Sequence, residues 1–320
     1  VTPRPAGGPD RPASAARSGL ILLRKPEGIT SFKALAPVKR ALGSGKVGHA
    51  GTLDLFASGL LVALAGPYSR LASYVQRGEK RYRGIVAFGN ETATLDPEGE
   101  VVASAPPPSL AELEGSLPRF RGRIMQRPPE YSAVHVGGAR AYELALKGRA
   151  PELKERPVEI RSLELLSYED GRALIELRCS SGTYVRSLAR DIALACGSRA
   201  HLAALERLSI GPYRVEDAVD PESFDPDRDL RPLAPEDASS LGLRALALLQ
   251  SADAELFSRG ARVPNAAFAP LDGKGDPRDA ESAVFDASGR LLGIASLQAG
   301  GLRYLAVLTS GLAVGREGKA

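Results

Sequence analysis

The chain has 320 residues, 43% of them hydrophobic and 25% charged, enough for a sizeable core and about two domains. No apolar run is long enough to span a bilayer and no secretory signal stands out, so a soluble, cytoplasmic protein is the expectation. Two cysteines (Cys179, Cys196) and three histidines (His49, His135, His201) exclude a disulfide framework and a dedicated zinc site, and a net charge of +4 singles out no partner.

In chain order, residues 1–18 are rich in Pro, Ala, Gly and Arg without periodicity and read as a disordered basic tail. GLILLRK, Gly19 to Lys25, is a short strand stopped by Pro26 and Gly28. In SFKALAPVKRALG, Phe32, Leu35, Val38 and Leu42 recur at helical spacing despite Pro37, with Gly43 as a C-cap. A Gly-rich turn carrying Asp54 leads into an apolar strand or helix. RYRGIVAFG, Arg81 to Gly89, alternates like a strand. The prolines of APPPSLAELEGSL precede a helix with Ser109 as N-cap and Glu112 three residues on.

ALIELRCSS, Ala173 to Ser181, is another strand, and TYVRSLARDIALACG reads as a helix capped by Thr183 and ended by Gly197. Glu216 to Asp237 is an acidic, proline-containing loop region, followed by a short helix in LGLRALALLQ. Beyond about Ser251, SAVFDASGRLLGIASLQ and RYLAVL read as strands with a turn at DASGR. Strands and helices mix irregularly, which predicts an α+β fold with a mixed, mainly antiparallel sheet. The expected division is a tail over 1–18, a main domain over 19–250 and a small β module over 251–320.

The charge is unevenly spread. Arg24, Lys25, Lys33, Lys39, Arg40 and Lys46 face only Glu27 between positions 24 and 49, and RGEKRYR, Arg77 to Arg83, adds a second basic run beside Tyr82. Basic residues next to an aromatic suit a phosphate backbone and a stacked base, although a charge run also serves as a solvated face. GSGKVG, Gly43 to Gly48, matches GxGxxG. A helix precedes it where the dinucleotide motif needs a strand, and Val47 stands where a P-loop needs Ser or Thr. Asp54 in its Gly-rich turn is either a nucleophile or base, or an Asx-turn residue bonding its own backbone. Tyr184 and Arg186 at the start of a helix can receive a base or phosphate, or be a packed ring and a solvated cation.

GHAGTLDLFASGLL resembles the G-H-x-G-x-L-D-P-x-A-S/T-G-x-L signature of the bacterial tRNA pseudouridine-55 synthases, the TruB family. LLRKPEGITS, KRYR, RPPEYSAVHVGGARAYELA (Arg127 to Ala145), CSSGTYVRSLARDI and HLAALERL (His201 to Leu208) are similar to further stretches of that family, in the same order. The resemblance covers about Leu20 to Tyr213. It implies a catalytic domain of the pseudouridine-synthase type, with the C-terminal module in the place of a PUA-like RNA-binding domain.

The resemblance also implies roles. Asp54 would be the catalytic aspartate and Arg186 its orienting partner. His49 would stack within the T-loop, Tyr82 on the flipped base, Tyr184 would line the pocket and Leu205 would wall it, with Lys25 and Pro26 a basic-proline pair nearby. The implied reaction converts uridine to pseudouridine with no cofactor and no metal, on tRNA, by a monomer. Two departures stand out: Leu55 and Phe56 replace the family's Pro and Leu after the aspartate, which alters turn stiffness, and Ala93 replaces an Asp. Rival readings are a same-fold synthase acting on another RNA, an RNA-binding or tRNA-folding protein with secondary or lost catalysis, and a glycoside hydrolase. The last would need two opposed carboxylates.

Overall fold

A computed structural model describes residues 17–43, 45–132, 135–136, 139–140 and 153–308. Most of the expected tail, and the stretch of RPPEYSAVHVGGARAYELA beyond Ser132 apart from four backbone positions, lie outside these residues. The first strand, β1 (Gly19–Lys25), is followed by two short helices, α1 (Ser31–Ala34) and α2 (Ala36–Leu42). One helix was expected here. Pro37 has no N–H for the preceding turn, so the chain breaks at Leu35 and restarts with the proline in the first turn of α2, where it is tolerated. Then come β2 (Val47–His49), β3 (Ser58–Ala65), α3 (Ala72–Arg77) and β4 (Lys80–Phe88). A small hairpin of β5 (Asn90–Thr92) and β6 (Val101–Ser104) precedes α4 (Leu110–Ser116), whose N-terminus is closed by the expected capping box of Ser109 and Glu112.

The edge strand β7 (Gly122–Gln126), a small pair of β8 (His135–Val136) and β9 (Ala139–Arg140), and the long hairpin of β10 (Arg156–Glu169) with β11 (Arg172–Cys179) follow. Helix α5 (Val185–Ala195) is the longest helix described. Its N-cap is Tyr184 rather than Thr183, whose hydroxyl donates to the Ser180 carbonyl at 3.0 Å and is spent on the preceding turn. Strands β12 (Ala200–Ile210) and β13 (Tyr213–Arg214) complete a nine-stranded sheet in the order β1-β3-β12-β4-β11-β10-β7, with β2 on β3 and β13 on β12. Every pairing in it is antiparallel except β12 with β3.

That parallel contact depends on Gly59, which has φ +100°. A Cβ there would meet the Arg207 carbonyl and lie 2.7 Å from the Arg207 nitrogen, so any side chain would force the two strands apart. Alternation along β4 then divides the sheet into two faces. Tyr82, Val86 and Phe88 join a core with Leu177, Val185, Leu188, Ile192, Leu202 and Leu205, in which α5 covers one face. Arg81 and Arg83 point the other way and both bond Glu176 of β11.

The acidic segment after β13 carries only short helical turns, among them α6 (Pro226–Asp229) and α7 (Pro235–Ala238). The helix expected in LGLRALALLQ is instead a strand, β14 (Arg244–Leu248). Its apolar residues pair on both sides, with β15 (Phe268–Pro270) and β16 (Glu281–Asp286), a non-local environment that overrides helix-forming composition. After β14 comes α8 (Ser251–Ser258). Strands β17 (Leu291–Gln298) and β18 (Gly301–Val307) complete a five-stranded sheet.

The two sheets share one core. Ala245, Ala283, Phe285 and Ile294 cluster with Leu22, Leu60, Leu64, Tyr74 and Ile210. The fold is mixed α+β, mainly antiparallel, with a β module at its C-terminal end. Among the described residues no helix is long and apolar enough to cross a membrane.

Candidate active site

The loop that carries Asp54 is held from below by β1 and α1. Ser31 Oγ accepts from the Leu53 N–H at 2.9 Å and donates to the Leu53 carbonyl at 3.1 Å. Lys25, fully buried, donates from Nζ to the carbonyls of Ala57 (2.6 Å), Pro26 (2.8 Å) and Leu55 (3.4 Å). The Gly28 N–H donates to the Leu55 carbonyl at 2.9 Å, and Ala57 N–H to the Asp54 carbonyl at 3.2 Å. These bonds tie down the turn that carries Leu55 and Phe56. Phe56 packs against the core under α5.

Above the loop stands the first turn of α5. Gln126 clamps it, donating to the Tyr184 carbonyl at 3.1 Å and accepting from the Tyr184 N–H at 2.8 Å. Arg186 projects from that turn to Asp54. Its Nη2 donates to Asp54 Oδ1 at 3.2 Å and its Nε lies 2.9 Å from Oδ2 as a close ion pair, without the alignment of a second hydrogen bond. The Arg186 side chain is 6% exposed and that of Asp54 37%, so the cation is buried and the carboxylate looks out.

Arg186 also reaches a second carboxylate. Nη1 donates to Asp96 Oδ2 at 3.2 Å and to the Thr94 carbonyl at 2.7 Å, and Nη2 to the Tyr131 carbonyl at 3.0 Å. Asp96 is itself fixed: Oδ1 accepts from the Thr94 hydroxyl and from the Glu98 N–H. Nearby, the Glu98 carboxyl is pushed up by burial and by the charges of Asp96 and Asp54. Ala93, the second departure, is exposed on the same turn, next to Thr94.

Of the other residues singled out in the sequence, Tyr82 and Leu205 sit in the core that Leu53 and Ala57 join, beside Asp54. Tyr184 lies under the Arg156 guanidinium, 5.0 Å from its ring centre. His49 is on β2, and its Nδ1 is buried without a hydrogen-bond partner among the described residues. Burial, then the Arg207 charge, pushes its imidazole down. Lys25 does not open onto the site; its ammonium is consumed by loop carbonyls.

The basic run RGEKRYR is divided by the strand it forms. Lys80 is buried, bonding the carbonyls of Gln76 and Gly78, the latter at 2.8 Å, and burial brings its ammonium down to about 8. Arg81 and Arg83 lie on the opposite face of the sheet from Tyr82. Sequence reading passed over Asp96 and Arg207. The signal for Asp96 was the Thr94-x-Asp96-x-Glu98-Gly99 turn; nothing local marked Arg207.

The arrangement is one outward-looking carboxylate, held by a buried guanidinium, beside a core that contains Tyr82 and Leu205. Such a carboxylate can attack, or take a proton from, a ligand brought up to it.

The chain superposes on the structure of an H/ACA RNP bound to a substrate RNA containing 2'-deoxyuridine with a TM-score of 0.68 at 21% identity, covering 93% of this chain and 88% of that one. For the crystal structure of a Cbf5-Nop10-Gar1 complex the values are 0.67, 24%, 89% and 79%. The family profile described as TruB family pseudouridylate synthase (N terminal domain) matches residues 39–185. The tRNA pseudouridine synthase B of Borreliella afzelii is 44% identical over 205 residues, 63% of this chain and 73% of that protein. That of Rhodopseudomonas palustris is 39% identical over 314 residues, 92% and 82%. The chain belongs to the TruB family of pseudouridine synthases.

Proposed function

We propose that the protein isomerises uridine to pseudouridine at position 55, in the T-loop of tRNA, by drawing that nucleotide out of the RNA stack into the pocket above Asp54. The relatives named tRNA pseudouridine synthase B support tRNA as the substrate. The Arg186–Asp54 pairing supports the mechanistic reading, because it holds one partly exposed carboxylate beside a buried guanidinium.

In the reaction the bond from ribose C1′ to uracil N1 breaks, the ring rotates, and C1′ joins C5. N1 takes up a proton and the C5 proton leaves, so the product is an isomer and the balance needs no cofactor. Asp54 starts the sequence, by attack on the ribose or by removal of a sugar proton. Tyr82 stacks on the extruded uracil and Leu205 forms the opposing wall, which keeps the detached ring from escaping while it turns. His49 stacks in the T-loop, Tyr184 lines the entrance, and the C-terminal sheet, β14 to β18, serves as a PUA-like RNA-binding module. Lys25 acts from beneath, through the loop carbonyls it holds.

Purified protein should release tritium from C5-labelled uridine in a T-arm hairpin, and Asp54→Asn should abolish release while binding the hairpin. Mapping of the product should place pseudouridine at position 55. Wild-type protein that binds the hairpin but releases nothing would sink the reading.

A further inference from the structure

Among the described residues Arg207 is the largest fully buried side chain, and no carboxylate lies within ion-pair distance of it. A guanidinium taken out of water without a counter-ion is costly unless its donors are matched by well-placed acceptors. Arg207 has two such acceptors, from two different segments. Nε donates to the Leu60 carbonyl of β3 at 2.7 Å, and Nη2 to the Gly51 carbonyl, in the loop between His49 and Asp54, at 3.0 Å. Tyr82 of β4 stands directly opposite Arg207 in the sheet register, so ring and guanidinium share a face; burial pushes the phenol up and the adjoining Arg207 charge draws it back.

The backbone is shaped around this side chain. Gly51 has φ +94°, and a Cβ there would sit 3.5 Å from Arg207 Nη1, so the loop passes directly over the guanidinium. Gly59 brings β3 against the Arg207 backbone itself. A planar fork suits this geometry and a point charge does not, because Nε and Nη2 serve carbonyls of two different segments at once.

We propose that Arg207 is a positioning residue for the isomerisation: its guanidinium holds the Gly51 carbonyl of the Asp54 loop beside Tyr82, keeping ring and carboxylate at a constant separation when a nucleotide enters. This rests on the reading that Asp54 and Tyr82 handle the target uridine. Arg207 touches neither substrate nor Asp54 in this scheme; it acts through Tyr82 and the loop.

The test uses the full chain, with a T-arm hairpin as the probe and excess enzyme, so that the Kd for RNA and the single-turnover rate constant are read separately. Arg207→Lys keeps the charge and loses the fork. It should slow the single-turnover step by about tenfold or more while Kd stays within about twofold. Tyr82→Phe deletes only the hydroxyl and should slow the same step, with Tyr82→Leu slower still because stacking is lost as well. The double variant Arg207→Lys/Tyr82→Phe should be no slower than the slower single variant, since both remove one link.

Multiplying effects in the double variant, a loss confined to Kd, or wild-type turnover in Tyr82→Phe would each overturn the proposal. The last result decides the matter even if Arg207→Lys does not fold. Asp54→Asn separates the two levels. If it remains active, the reading of the site itself fails; if it is inactive while Arg207→Lys turns over like wild type, only the role of Arg207 fails.

Discussion

Asp96→Asn isolates the contribution of the second carboxylate to the site. The side chains of Arg186 and Asp96 are 6% and 5% exposed, so their contact is little screened by solvent, unlike the Asp54 end of the network. Asparagine keeps the shape and one acceptor but loses the charge that faces Nη1 at 3.2 Å, and it loosens the Thr94 turn whose carbonyl takes the other Nη1 hydrogen bond at 2.7 Å. A hydrogen bond to a charged group contributes roughly 1.5–3 kcal/mol. At about 1.4 kcal/mol per factor of ten, full expression of that loss in the transition state slows the single-turnover step roughly 10- to 150-fold.

Stability should fall less than for a fully broken buried pair, by about 1–3 kcal/mol, because Arg186 keeps Asp54 and the Tyr131 carbonyl. The assay is tritium release with excess enzyme, beside urea denaturation of the same preparation. A variant within threefold of wild type in rate, and unchanged in stability, would refute the idea that Asp96 shares in holding Arg186 on Asp54.

Three further outcomes are expected. Arg156→Gln, on the catalytic face over Tyr184, should weaken RNA binding and lower the salt slope by about 1, whereas Arg81→Gln, paired with Glu176 on the far face, should leave the slope unchanged in filter-binding titrations. Gly59→Ala should cost about 3 kcal/mol or more in denaturant unfolding, through positive φ combined with overlap on the β12 backbone; an unfolding midpoint near that of wild type would show that the strands separate easily.

Lys80 supplies a pH dependence. Its ammonium titrates near 8 in the folded protein and near 10.5 when unfolded, so between these values the unfolded chain binds more protons and stability rises with pH. Relative to Lys80→Met, wild type should therefore gain up to roughly 2–3 kcal/mol between pH 7.5 and 10.5, and parallel stability curves for the two proteins would disprove it.

The parts of this protein that were legible in its sequence are those governed by neighbours along the chain. The apolar run GLILLRK and the alternation of RYRGIVAFG identified β1 and β4, the Ser109–Glu112 box identified the start of α4, and the contiguous GHAGTLDLFASGLL run pointed to Asp54 and to the TruB family. Errors arose where distant chain segments decide. LGLRALALLQ has helix-forming composition, yet it lies between β15 and β16 and is held as β14 by hydrogen bonds to residues beyond Phe268. The run RGEKRYR reads as one basic patch, yet the two-residue period of a strand sends Tyr82 and Lys80 to one face and Arg81 and Arg83 to the other.

The site shows the same division. Asp54 and Arg186 were named from motifs, but the ion pair between them joins positions 132 apart, and the Asp96 contact joins positions 90 apart. By itself the sequence determined the family, the α+β class and the residue types available for chemistry, because motifs and periodicity are local. Only the tertiary structure decided that Lys25 supports the loop from below, that Asp96 shares Arg186 with Asp54, and that Arg207 is buried without a carboxylate beside Tyr82. Each of these depends on which side chains meet when the sheet closes, and sequence neighbours carry no record of that.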